Sequence, residues 1–147
     1  MWRCPGFSRS SLDIKAEILA GLTKKVRALV AGEILAELLA SAKEALLDTL
    51  NAEVSKNIGA VLVASAFEDL LRRMGAEYAG VTDRRGLQDL INALKGAGVL
   101  TGGEPGTAQT YLKFRNDSLH ADWGNVQRPQ VDSCLAFVES LLMKHFS

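Results

Sequence analysis

From Ile58 to Phe67 the chain reads IGAVLVASAF, apolar or small at every position. A helix that is apolar all round has no face to give to water and is buried among other helices. This segment therefore demands neighbours, and the rest of the chain supplies them. Ser10 and Ser11 can cap a helix that begins near Leu12. Apolar residues then recur at helical spacing through Ile18, Leu19, Leu22, Val26, Leu29 and Val30, and again through Ile34, Leu35, Leu38, Leu39, Ala42, Leu46 and Leu47. This stretch is one long helix or two joined near Ala31 and Gly32. Gly21 and Gly32 each weaken a helix interior by about 1 kcal/mol relative to Ala, so a break is expected near Gly32.

The central apolar segment extends from about Asn51 to Gly75, where the glycine is the expected stop. A short third helix is capped by Thr82 or Asp83, buries Leu87, Leu90, Ile91 and Leu94, and ends at Gly96 and Gly98. Thr101 to Gly106 reads as a loop. Thr107 is the expected cap of a fourth helix that ends near Trp123, Gly124 and Asn125. Pro129 starts a fifth, with Val131, Leu135, Val138, Leu141 and Leu142 on one face. No alternating strand pattern and no internal repeat occurs. The expected fold is all-α, an antiparallel helical bundle of five or six helices, in one domain over residues 12–147 after an irregular stretch 1–11.

Composition narrows the partners. Over 147 residues, 17 basic and 17 acidic side chains cancel. They are spread evenly: seven basic and six acidic in 1–50, six and seven in 51–106, four and four in 107–147. Broad electrostatic wrapping of nucleic acid needs many phosphate contacts and is disfavoured, though a small local phosphate site is not. Cys4 and Cys134 form neither a metal pattern nor a disulfide framework, which fits a reducing cytoplasm. The N-terminal residues lack the apolar centre of a signal peptide. The uncharged run Asn57 to Phe67 is too short for a bilayer span, which needs about 20 residues. A soluble cytoplasmic protein is the expectation, with no membrane partner.

The chemistry concentrates in Arg115-Asn116-Asp117-Ser118-Leu119-His120 on helix four. At about 100° per residue, Leu112, Leu119 and Trp123 share one direction, which should face the core. Asn116 and His120 stack on one flank of that stripe and Arg115 lies on the other. Phe114 points the opposite way, so the helix could be covered on two sides. Polar groups bordering a buried face suit a cleft or an interface. On spacing alone, an Arg and a His at such an edge are more often capping or surface groups. Glu68 and Asp69 usually make a solvated pair and less often partner a buried Arg. Arg72-Arg73 and Arg84-Arg85 read as solvated faces, and Tyr111 and Trp123 as core or interface. The chain holds only His120 and His145, which disfavours a multi-histidine metal site.

The stretch Leu112 to Trp123, with an Arg, a polar residue and then a His five positions after the Arg, resembles the signature of the HEPN superfamily of helical domains. The preceding pattern resembles that superfamily's uncharacterised prokaryotic members: an apolar helix ending Phe67-Glu68-Asp69-Leu70-Leu71, then a short helix ending Leu90-Ile91-Asn92-Ala93-Leu94-Lys95, then a Gly-rich loop. The likeness covers about residues 52–145. It implies a bundle that often dimerises, bringing two motif helices together. It also implies a metal-independent endoribonuclease of toxin–antitoxin or defence type, without cofactor, whose partners would be RNA, a second copy and an antitoxin protein. Arg115, Asn116 and His120 would be catalytic, with Glu68 the candidate acidic partner. Such chemistry needs a His that exchanges protons near neutral pH and an Arg that stabilises phosphate charge. Other members of the superfamily are inactive nucleotide-binding or protein-interaction modules. That alternative, and a purely structural bundle, stay open.

Overall fold

Ser10 opens the first helix through a reciprocal cap. Its Oγ accepts the Asp13 N–H at 3.1 Å, and its own N–H donates to Asp13 Oδ2 at 3.3 Å. The structure is a computed structural model and describes residues 10–146, so residues 1–9 of the expected irregular start lie outside it. From the cap, α1 runs Ser11–Leu47 without interruption, a rod about 55 Å long. The expected break near Gly32 is absent. Gly32 is buried, and a Cβ there would come 2.7 Å from the carbonyl oxygen of Phe146. The glycine serves close packing against the end of the last helix rather than a change of direction. Only the second half of α1 joins the core, through Ala31, Leu35, Leu39, Ala42 and Leu46. Residues 11–30 are exposed, with Ala28 half-buried.

A short turn leads to α2, Ala52–Tyr78, whose cap Asn51 accepts the Val54 N–H at 3.2 Å. The Ser55 hydroxyl donates to the Ala45 carbonyl at 2.5 Å and ties the two helices at their junction. α2 is the central element and packs against every other α-helix. Its apolar run is not buried all round. Ala60, Val63, Ala64, Ala66 and Phe67 are in the core, while Ile58 is 49% exposed and Val61 and Leu62 are half-buried. Gly75 does not stop the helix. A Cβ there would meet Leu90 Cδ1 at 2.7 Å, so this glycine lets α3 approach. The chain turns instead after Tyr78, through Gly80 at φ +65°.

α3 spans Leu87–Gly96 and buries Leu87, Leu90, Ile91 and Leu94 as the spacing requires. Neither Thr82 nor Asp83 caps it. Gly86 is the N-cap, and Asp83 accepts the backbone N–H and guanidinium of Arg85. α4 is Glu104–Leu119, beginning before Thr107 with Pro105 in its first turn. Glu104 accepts the Thr101 N–H at 2.9 Å, drawing part of the expected loop into the helix. A single 3₁₀ turn, Trp123–Asn125, precedes α5, Arg128–Phe146. Pro129 sits in the first turn of α5, where its missing N–H costs nothing. The fold is an all-α helical bundle; among the described residues there is no strand. No described helix is long and apolar enough to cross a membrane.

Candidate functional site

α4 is turned on its axis relative to the sequence expectation. Its buried residues are Pro105, Ala108, Phe114 and Ser118. Leu112 is half-buried and Leu119 is 39% exposed. α4 packs against both α2 and α3. Trp123 does not continue the Leu112–Leu119 stripe, because the helix ends first. His120 is the C-cap and Ala121 takes a left-handed φ of 57°. Trp123 lies instead beside Asn57, Ile58, Val61 and Leu62 of α2, around an apolar pocket of about 270 Å³.

The rotation brings Arg115 toward α2. Arg115 Nε and Nη2 donate to Oε2 of Glu68 at 2.9 and 2.5 Å, and its Nη1 donates to Asn116 Oδ1 at 2.7 Å. Glu68 is shared. Its Oε1 accepts Nε and Nη2 of Arg72, both at 3.2 Å. Arg72 Nη1 in turn donates to the Arg85 carbonyl at 3.0 Å, linking the site to the segment before α3. Partial burial pushes the Glu68 carboxyl up, but the hydrogen bonds and charges of Arg115 and then Arg72 outweigh it and hold it below its ordinary value. Asp69 accepts from Arg73 at 2.7 Å on a more exposed face.

Structure thus joins Glu68, Arg115 and Asn116 directly. His120 is not joined to them. It is exposed at the end of α4, and among the described residues its ring has no hydrogen-bond partner. Asn116 is exposed as well. Arg72, a solvated residue by sequence pattern, is a member of the network. Its spacing of four from Glu68 on one helix is the signal that points there. Tyr111 packs inward, edge-on to Phe67 and beside Phe137, with its hydroxyl 2.6 Å from Ser133 Oγ.

Among the described residues no cluster of three or more His, Cys, Asp or Glu side chains could hold a metal ion. No family model, curated protein or solved structure matches this chain.

Proposed function

We propose that this chain is a HEPN-type domain that cleaves RNA without a metal ion, through Arg115, Asn116 and His120. The supporting observation is the state of Arg115. A guanidinium carries five N–H groups, and those used on Glu68 and Asn116 leave two for a phosphate. Glu68 and Asn116 fix the plane of the fork, which is what oriented charge stabilisation needs. His120 lies about one and a half helical turns further on, open to substrate.

In this mechanism His120 takes the proton of a ribose 2′-OH. The 2′-oxygen bonds to the adjacent phosphorus while the bond to the 5′-oxygen breaks. Arg115 stabilises the charge that builds on the phosphoryl oxygens. The departing 5′-oxygen takes a proton from a second acid, for which His120 of a second copy is the natural source. The products are a 2′,3′-cyclic phosphate and a 5′-hydroxyl. A cytoplasmic toxin of this kind would be held in check by an antitoxin protein.

A second reading is favoured by a separate feature. Glu68 engages both Arg115 and Arg72, as in an architectural ion pair. On that reading the domain is a nucleotide-binding or protein-interaction module. Incubation of the purified chain with structured and unstructured RNA in EDTA decides. Cleavage lost by about 10²–10⁴-fold in His120→Ala, with the fold retained, is the expected result. No cleavage of any RNA by the wild-type chain leaves the module reading.

A further inference from the structure

Residues 11–30 of α1 are capped, helical and, apart from half-buried Ala28, solvent-exposed. Leu12, Leu19, Leu22, Val26 and Leu29 are 76, 63, 54, 55 and 49% exposed. They recur at steps of seven, three, four and three, the a and d positions of a heptad pattern. An isolated helix of this length is marginal in water, and an apolar stripe this long marks an interaction surface. We infer that this arm pairs with the same segment of a second copy as an antiparallel two-helix coiled coil.

Three features of the sequence select that occupant. In the register that sets residue i against residue 41 − i of the partner, Leu12 meets Leu29 and Leu19 meets Leu22, twice each by symmetry. Four leucine layers arise from one rule, which a self-complementary surface provides. Second, Lys15 occupies the remaining d position. Parallel pairing would press it against its own copy, whereas the antiparallel register sets its aliphatic stem on Val26. Third, the charges complement one another lengthwise. Residues 11–20 carry Asp13, Lys15 and Glu17, and residues 21–30 carry Lys24, Lys25 and Arg27. Antiparallel arms lay the acidic half over the basic half; parallel arms stack the basic halves.

The register also fits the fold. Ser11 of one arm reaches Val30 of the other, the last residue before the buried stretch from Ala31. The arm leaves the bundle beside Arg73, Ala76 and Glu77 at the end of α2. Past the motif, Trp123 lies at the start of α2, where its carbonyl accepts from Lys56, and Arg115 reaches Glu68 further along that helix. Pairing through the arm uses none of Arg115, Asn116 and His120 and does not rest on the RNA-cleavage reading.

The test is the mass of the full chain in solution, by light scattering at about 50 µM, a concentration at which a specific homodimer is populated. Leu19→Glu with Leu22→Glu should halve the mass. Leu50→Glu, a substitution at a residue 98% exposed outside the arm, should leave the mass alone. Direction is read by disulfide formation in a Cys4→Ser background. A mixture of Leu12→Cys and Leu29→Cys chains should cross-link, and neither chain alone should. A monomeric wild type, a mass insensitive to the double substitution, or cross-linking of Leu12→Cys with itself overturns the inference. So does a monomer whose arm instead floats with phosphatidylglycerol vesicles.

Discussion

Arg115 on α4 and Glu68 on α2, 47 positions apart, meet through two N–H donors on one carboxylate oxygen. The same carboxylate takes Arg72 on its other oxygen, so one anion fixes two cations and two helices. Charge-assisted, forked bonds of this kind hold geometry as well as energy. The asymmetry of the trio makes its consequences predictable.

Removing Glu68 should cost more than removing Arg115. Glu68→Ala leaves two partly buried guanidinium groups without their counter-ion, a loss of about 1–3 kcal/mol. Arg115→Ala leaves Glu68 still paired with Arg72, and the loss should be about 1 kcal/mol or below. Urea denaturation of both variants checks the order. Equal losses would mean that Arg72 carries no share.

Two glycines in α1 should respond in opposite directions. A Cβ added at Gly21 would meet only open space, so Gly21→Ala should gain about 1 kcal/mol of helix stability. At Gly32 the new methyl would meet the backbone oxygen of Phe146 at 2.7 Å, which a side-chain shift cannot relieve. Gly32→Ala should lose about 1–3 kcal/mol. Circular dichroism melts of the two variants test the contrast, and a stabilised Gly32→Ala would contradict the packing at the end of α5.

Ser118 is buried within the motif, and its hydroxyl has no hydrogen-bond partner among the described residues. Its size suits a buried position, but its polarity does not. Ser118→Ala should therefore be neutral or stabilising by up to about 1 kcal/mol, since it deletes an unpaired buried hydroxyl and keeps the volume small. Ser118→Val should destabilise by about 1–3 kcal/mol through overpacking. A clear loss in Ser118→Ala, measured by urea denaturation, would show that the hydroxyl does have a partner.

These substitutions also mark what a sequence can convey. The helices are legible because apolar spacing and the absence of alternation are local signals; Leu87, Leu90, Ile91 and Leu94 need nothing more. The glycines are not. Gly32 and Gly75 are spelled like helix stops, and only the arrival of Phe146 and Leu90 from distant elements shows them to be packing sites. The face of α4 escapes the sequence for a related reason. Hydrophobicity points to Leu112 and Leu119, while the face buried is that of Ala108, Phe114 and Ser118. That rotation carries Arg115 onto Glu68 and leaves His120 in the open, a pairing and a separation that spacing within one helix does not reveal.

Acid should destabilise the fold in two separate windows. His145 lies at the end of α5, where burial and then the charge of Lys144 hold its pKa below 6.5, against an opposing pull from Glu104. The unfolded chain therefore binds the His145 proton more readily than the folded one. Its contribution is complete above 6.5 and is lost as pH falls through the lower folded value. Glu68 is also depressed, from an ordinary 4.5: burial raises it, and Arg115 and Arg72 more than reverse that. Its contribution is complete above 4.5 and disappears as pH falls through its folded value. Denaturant midpoints should thus fall once on the acid side of neutrality and again in the carboxylate range. His145→Gln should flatten the first fall and leave the second. Glu68→Gln should lower stability throughout and reduce the second without removing it, since Glu104, though partial burial raises it, is also held below its ordinary value by Thr101 and Lys144. A first fall that persists in His145→Gln would assign it to another group, and NMR titration of the imidazole protons in the wild-type chain would then show His145 at or above its ordinary value.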